Sequence, residues 1–299
     1  MLTHVPTNPN PVPPMSLFGL LLVLAAAFCH AGWNFFVKRI NAGPELVWLF
    51  SIISVALYLP LAVAVFVRHP HALDGEAGLF VAGSMALHLG YFLLLQQGYR
   101  AGDLSLIYPV ARATGPLVTL VLAVTILGEA VSPTVAAGAL AIIAGVAGLT
   151  GKAGGSADRP LASLGFGITA GLLIGSYTVW DAHTVTQLAV PPLLLDYASS
   201  AGRSVLLAPV ALRRRAKVRS LWTEHRGAVL AIAVLNPLAY ILVLTALAFA
   251  PVVYVAPLRE TSVLITVALG SIVLGEGQLR RRLGWAALIL AGAATLAAA

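Results

Sequence analysis

Residues 112–129 read RATGPLVTLVLAVTILGE, and residues 259–276 read RETSVLITVALGSIVLGE. The two stretches lie 147 residues apart and are identical at eight of eighteen positions, including both arginines and both Leu-Gly-Glu endings. The match continues without a gap through Ile142 and Ile289. The chain is therefore a duplication, and each copy carries an arginine inside an apolar run, where a charge is costly unless it has a role.

The composition predicts an all-α integral membrane protein. Hydrophobic residues make up 59% of the 299 residues and charged residues only 10%, against about 25% charged in soluble domains. Apolar runs of roughly 20 residues cross a bilayer as helices, and lipid offers no partners for an open sheet edge. The ten predicted spanning segments are 16–37, 45–67, 77–99, 104–127, 132–151, 161–182, 191–212, 227–248, 251–274 and 283–299.

The basic residues predict an orientation rather than a nucleic-acid partner. The net charge is +7, but 14 of the 18 lysines and arginines fall in the loops after segments 1, 3, 5, 7 and 9. One falls in an even-numbered loop, and three lie inside segments. Cytoplasmic loops collect lysine and arginine. We therefore expect cytoplasmic odd loops and both termini outside, in a multi-pass protein of a bacterial-type inner (plasma) membrane.

The number of segments per copy predicts how the copies are arranged. Five is odd, so the second copy must be inverted relative to the first, and inverted repeats are typical of secondary transporters. We divide the chain into a disordered tail (1–15), a first five-helix repeat (16–151) and a second five-helix repeat (161–299). Cys29 is the only cysteine, which excludes an internal disulfide and a cysteine-based metal cluster.

Three local motifs resemble a known family. They are His30-Ala-Gly-Trp33-Asn34 in segment 1, Tyr108-Pro109-Val-Ala-Arg112 in segment 4, and the two Leu-Gly-Glu turns. On these residues the chain resembles the ten-helix drug/metabolite transporters built from two EamA-type repeats. The resemblance implies a central cavity walled by both halves, transport without ATP, and cytoplasmic termini. The charge distribution predicts the opposite orientation, and we follow the charges.

The two repeated arginines are the main candidates for cargo binding. Arg112 lies eight residues into segment 4, which places it about 12 Å deep at 1.5 Å per residue, and Arg259 is its equivalent in segment 9. A guanidinium fork suits the two oxygens of a carboxylate, phosphate or phosphonate. The alternative is a structural cation paired with Glu260 or Asp196. Arg112 is the stronger candidate, because Arg259 has Glu260 beside it.

Polar residues in segments 1 and 3 are further candidates. His88 and Tyr91 are one helical turn apart and share a face. His30 is followed by Trp33 and Asn34, an aromatic ring and an amide that suit a ligand cavity. His30 and His88 are also proton-coupling candidates, because histidine titrates near neutral pH. The alternative for each is a hydrogen bond within the helix bundle.

Segments 6 and 8 supply the remaining candidates. Tyr177 and Trp180 lie near the end of segment 6, with Asp181 after them, and Asn236 and Tyr240 lie in the middle of segment 8. Pro237 removes a backbone donor, so we expect a kink there.

A second set of charged residues has structural interpretations. In segment 7, Asp196 and Arg203 are two turns apart, and contacts between helices are the favoured interpretation. We expect Glu129 and Glu276 to cap the next helix or to hold basic loop residues.

Together these features favour a secondary transporter, most simply an exporter, of small metabolites such as amino acids or other carboxylate- or phosphonate-bearing compounds, working by alternating access. The alternative is an exporter of cationic or amphipathic drugs, which needs a free Glu260 or Asp196. A membrane enzyme is less favoured, because no cluster of acids and histidines lies at one interface. A lipid-linked flippase is less favoured, because it would not need the polar groups inside the segments. No cofactor, metal or catalytic residue is expected. The expected partners are a small-molecule substrate, the lipid bilayer and protons as a candidate coupling ion, and the protein is a monomer or homodimer.

Overall fold

The computed structural model describes residues 15–40, 42–101, 104–150, 160–265 and 279–299. These residues form ten α-helices and contain no β-strand. In chain order the helices are α1 (Leu17–Ile40), α2 (Pro44–Arg68), α3 (Gly75–Ala101), α4 (Leu104–Thr125), α5 (Pro133–Thr150), α6 (Pro160–Thr186), α7 (Pro192–Arg213), α8 (Arg215–Leu247), α9 (Val252–Arg259) and α10 (Leu279–Ala298). The predicted all-α fold is confirmed. The predicted tail lies outside the described residues, apart from Met15.

Proline sets the start of several helices. Helices α2, α5, α6 and α7 all begin with a proline, whose fixed φ suits the first helical position and whose missing N–H would have no partner there. By length and composition alone, three of the described helical stretches could cross a membrane: Leu17–Val37, Pro44–Arg68 and Arg215–Leu247.

Two helices differ from the predicted segments. Segment 9 was predicted as one helix over 251–274, but α9 ends at Arg259, Glu260 forms a turn, and residues 261–265 are helical again. Residues 266–274 lie outside the described part. Inside α8 the residue with non-helical backbone angles is His225, with φ −130° and ψ 23°. The kink at Pro237 stays a prediction.

The same helix begins twelve residues earlier than its predicted segment at 227. Residues 215–224 expose Arg215, Lys217 and Arg219 and bury Leu221. A search for long apolar runs does not find a short amphipathic helix of this kind, because many of its residues are polar. The adjacent Arg214 donates to Glu45 at the start of α2 across 2.7 Å, so this basic segment is also tied to the first repeat.

Several contacts between helices recur between the equivalent helices of the other repeat. α1 packs on α8 and its counterpart α6 on α3, just as α2 packs on α8 and α7 on α3. The equivalent helices α2 and α7, α4 and α9, and α5 and α10 contact each other directly. The two repeats are therefore interleaved across the molecule, and each buries its surface against the other.

One polar contact joins the loop of the first repeat to a helix of the second. Both carboxylate oxygens of Glu129 accept backbone N–H groups at the start of α9, from Val252 at 2.8 Å and Val253 at 2.9 Å. Glu129 therefore caps α9 rather than the next helix, α5. Burial raises the pKa of the Glu129 carboxyl, and the two hydrogen bonds offset part of that rise. Glu276 lies outside the described residues.

A stripe of glycines on α6 brings that helix against α4, which carries Arg112. A Cβ on Gly167, Gly171 or Gly175 would come within 2.7 Å of side-chain atoms of Val110, Thr114 or Val118. The glycines recur every four residues and so form one face, which lets the two helices approach closely. In the same way Gly138 of α5 and Gly292 of α10 pack against each other inside the protein.

We predict that Gly171→Ala lowers the melting temperature of the purified protein in detergent. The added Cβ would lie 2.5 Å from the Cβ of Thr114, and overpacking of this kind costs about 1–3 kcal/mol. Gly165→Ala on the same helix is the matched control, because nothing described lies within 4 Å of its added Cβ. The control should keep or slightly raise the melting temperature, and equal changes in both variants would contradict close packing.

Candidate functional site

Two arginines and one carboxylate meet between the repeats. Arg112 of α4 lies with its Nη2 2.7 Å from Oε2 of Glu260, and the Glu260 side chain is only 1% exposed. The same Nη2 donates to the hydroxyl of Ser262 at 3.3 Å. The Nε of Arg259 lies 3.7 Å from Oε1 of Glu260, too far for a hydrogen bond. One buried carboxylate therefore serves two guanidinium groups.

The break after α9 explains this arrangement. Glu260 directly follows Arg259, so the sequence suggested that these two neighbours would pair and leave Arg112 for cargo. In the structure the turn at Glu260 directs its carboxylate towards Arg112 of the other repeat. The Nε of Arg259 is buried and has no hydrogen-bond partner among the described residues. Because Arg112 lies 2.7 Å from Glu260 and Arg259 only 3.7 Å from it, the distances favour Arg259 as the guanidinium group available to an anion.

A second polar cluster joins α3, α6 and α8. The Nε2 of His88 lies 2.9 Å from Oδ2 of Asp181, and the hydroxyl of Tyr240 donates to the same oxygen. The His88 ring stacks on Tyr177 with centroids 4.1 Å apart, and Tyr91 meets Tyr177 edge-on at 5.9 Å. The structure therefore brings together four predicted candidates, His88, Tyr91, Tyr177 and Tyr240, around Asp181.

Aromatic rings surround the second cluster. Besides stacking on His88, the ring of Tyr177 meets those of Tyr91 and Tyr240. The described residues thus place two arginines at Glu260 and a further carboxylate, Asp181, beside a group of aromatic side chains.

The other predicted site residues lie around this core rather than in it. Trp180 donates to the backbone carbonyl of Phe80 at 2.7 Å and stacks on its ring, so it packs α6 on α3. Trp33 meets His30 edge-on at 5.0 Å, and Asn34 donates to the His30 carbonyl at 2.8 Å. Asn236 is half-buried one turn before Tyr240 on α8.

Asp181 is the site residue that sequence reasoning missed. Segment 6 was predicted to end at residue 182, which placed Asp181 at the membrane surface, whereas α6 continues to Thr186. Its side chain is 0% exposed. The repeat offset of 147 was the available signal, because it pairs Trp180 with Trp33 and Asp181 with Asn34, a residue already chosen as a candidate.

Asp196 and Arg203 form a separate buried group on α7. Arg203 donates to the hydroxyl of Ser200 at 3.0 Å. Ser200 lies on α7 one turn after Asp196 and one turn before Arg203. Asp196 also lines a narrow crevice between α2, α7 and α8, together with Ser54, Tyr58 and Pro237.

The described residues hold no group of three His, Cys, Asp or Glu side chains that could bind a metal ion. A charged core between two interleaved five-helix repeats is typical of membrane transporters. The chain belongs to the EamA-like transporter family, which matches residues 17–151 and again residues 161–298. Members of this family are multi-pass membrane proteins that transport small molecules. The protein is therefore a membrane transporter of small molecules.

Structural comparison agrees with the family on the fold. A solved crystal structure superposes with a TM-score of 0.73, covering 93% of this chain and 95% of its own, at 17% sequence identity. At that identity the likeness shows the fold alone. No curated protein sequence matches the chain.

We predict strong energetic coupling between Arg112 and Glu260 in a double-mutant cycle. Removing either partner of a buried pair alone should cost about 3–5 kcal/mol, whereas replacing both with methionine should cost far less than the sum. Unfolding of the purified single and double variants in detergent measures the coupling.

The matched control is the pair of Arg214 and Glu45, which has the same 2.7 Å separation but a 60% exposed arginine. Its coupling should be about 0.2–1 kcal/mol. Similar coupling for both pairs would mean that the central pair is not dehydrated.

Proposed function

We propose that this transporter carries small metabolites with an anionic group, a carboxylate or a phosphonate, by alternating access between the two repeats. The observation that carries the proposal is the position of the buried Arg259 beside Glu260: its Nε lies 3.7 Å from Oε1 and has no hydrogen-bond partner among the described residues. A buried donor without a partner is costly, and a guanidinium group binds carboxylates and phosphonates strongly.

The position of Glu260 supports a role for Arg112 as well. Glu260 neutralises only one of the two guanidinium groups, so the pair of arginines keeps one net positive charge. An anion that enters between them can take part of the coordination that Glu260 now gives to Arg112. Because Arg112 and Glu260 belong to different repeats, such an exchange would loosen one contact between the halves.

Export is the proposed direction, and both termini are proposed to lie outside a bacterial-type inner membrane. The orientation rests on the basic residues, which include the exposed Arg215, Lys217 and Arg219 at the start of α8. Such residues favour the cytoplasmic face.

Export of cationic or amphipathic drugs is the second candidate, and it depends on Asp196 alone. Glu260 is engaged by Arg112 at 2.7 Å. Asp196 lines the crevice between α2, α7 and α8, and no cationic side chain among the described residues pairs with it within 4.0 Å. Tyr58 beside it could contribute an aromatic face to a bound cation.

Thermal stabilisation by a compound panel tests the proposal, because a ligand that binds the native state raises apparent stability. The panel contains pyruvate, L-glutamate, L-alanine, 2-aminoethylphosphonate and the cation tetraphenylphosphonium. We predict that at least one carboxylate or phosphonate raises the melting temperature of the wild type. A ligand at 100 times its Kd raises the free energy of unfolding by about 2.7 kcal/mol. Arg259→Gln should abolish that response.

Arg203→Gln is the matched control, because the Nε of Arg203 also has no hydrogen-bond partner among the described residues. Arg203 lies on α7 and donates to Ser200, so this variant should keep the response. If only tetraphenylphosphonium stabilises the protein and Asp196→Asn removes that effect, cargo is cationic and the arginines are structural.

A further inference from the structure

The first third of α8 is not needed to cross the bilayer. Residues 226–247, at 1.5 Å per residue, reach about 33 Å, which is enough for a hydrocarbon layer of about 30 Å. Before them the helix is interrupted at His225, whose φ is −130° and ψ 23°. The preceding helix, α7, ends at Arg213. Residues 215–224 therefore form a separate helical stretch at the membrane surface, which we call the surface helix.

The surface helix is fixed to the rest of the protein by its apolar side. Leu221 is 3% exposed and lies in a buried cluster with Leu46 of α2, and Val218 packs against the same cluster. Directly before the surface helix, Arg214 donates to Glu45 at the start of α2 across 2.7 Å. These contacts join the second repeat to the first. They orient the surface helix, so that its polar sides face away from the protein.

One of the polar sides carries two arginines and an aromatic ring. Arg215, Arg219 and Trp222 are four and then three residues apart, which places them in a row along one side of the helix. All three are exposed, Trp222 by 39%. At 3.6 residues per turn, Lys217 and Glu224 fall on nearly the opposite side. We call Arg215, Arg219 and Trp222 the basic row, and it contains no acid.

The surface helix has no helical counterpart in the first repeat. The repeat offset of 147 pairs residues 215–221 with 68–74, which are the last residue of α2, Arg68, and the non-helical loop 69–74. Membrane orientation alone requires only that basic residues lie in a cytoplasmic loop. It does not require that they form a row on a helix beside a tryptophan. The arrangement therefore indicates a binding role in addition to orientation.

The chemistry of the basic row fits the headgroups of a bilayer. A guanidinium group binds two phosphate oxygens through paired hydrogen bonds, and tryptophan is enriched at the depth of the headgroups. Because the row contains no carboxylate, it offers nothing to the ammonium group of a zwitterionic lipid. Headgroups with a net negative charge are the better match. A soluble polyanion would not explain the exposed ring of Trp222 beside the arginines.

We propose that the basic row binds the headgroups of anionic phospholipids where the two repeats meet at the membrane surface. The proposal is independent of the cargo and of the arginines in the core. Each basic residue near an anionic surface contributes about fivefold to the affinity, so the two arginines together contribute about 25-fold. The binding should weaken with salt, because the Debye length falls from about 8 Å at 0.15 M to about 3 Å at 1 M.

Quenching of Trp222 fluorescence tests the proposal on the full-length protein in phosphatidylcholine vesicles. The quencher is phosphatidylglycerol brominated close to its headgroup, and brominated phosphatidylcholine is the comparison lipid. The difference between the wild type and Trp222→Phe isolates the signal of this residue from the other tryptophans. The wild type should bind phosphatidylglycerol about tenfold or more tightly than phosphatidylcholine beside Trp222. Sodium chloride at about 1 M should remove most of that preference.

Substitutions in the basic row should lower the preference in steps. Arg219→Gln should reduce it about fivefold, and the double substitution of Arg215 and Arg219 by glutamine about 25-fold. Arg219→Lys retains the charge and should retain most of the preference. These side chains are exposed, so the variants should melt at the same temperature as the wild type in detergent.

Lys217→Gln is the matched control, because it removes one exposed positive charge from the opposite side of the same helix. It should change the preference by less than about twofold. Equal losses in Lys217→Gln and Arg219→Gln would mean that the basic residues act only through a diffuse field, and a specific row would be refuted.

Two further results would overturn the inference. Equal quenching of Trp222 by the two brominated lipids would show that the row has no preference for an anionic headgroup. If neither lipid quenches Trp222 and poly(U) RNA changes its emission instead, the row binds a soluble polyanion and not the membrane. Neither result bears on anionic cargo, which is tested by the response of Arg259→Gln to the compound panel.

Discussion

Glu260 lies 2.7 Å from Arg112 of one repeat and 3.7 Å from Arg259 of its own, and almost none of its side chain is exposed. The desolvation of three charged groups is tolerable only while they stay together. That requirement stabilises the contact between α4 and α9. The turn at Glu260 interrupts the helix beside these charges, and interrupted helices near the binding site are common in transporters.

The duplication is symmetric in its arginines and asymmetric in its acids. The offset of 147 pairs Arg112 with Arg259, but it pairs Glu260 with Ala113 and Asp181 with Asn34. Both core carboxylates thus belong to the second repeat. A symmetric core would carry either no carboxylate or twice as many, and neither would balance two guanidinium groups. The divergence between the repeats has therefore set the charge balance of the core.

The sequence predicted the features that follow from the length of its apolar runs and from its internal repeat. Apolar runs located the helices, and the repeat located Arg112 and Arg259 at equivalent depths. Contacts between distant segments could not be predicted from apolar runs or from the repeat. The partner of Glu260 depends on a turn after α9, and the burial of Asp181 depends on four further residues of α6. The helix over residues 215–224 was missed because its polarity resembles that of a loop.

The interleaving of the repeats has a consequence for how the protein is made. Arg112 enters the membrane with the first repeat, but Glu260 lies 148 residues further along the chain. At synthesis rates of about 5–20 residues per second, Arg112 waits roughly 7–30 seconds for its carboxylate. During that interval the half-made protein holds a cation in the bilayer without its final partner. The first repeat must therefore be sheltered by water, lipid headgroups or the insertion machinery until the ninth helix arrives.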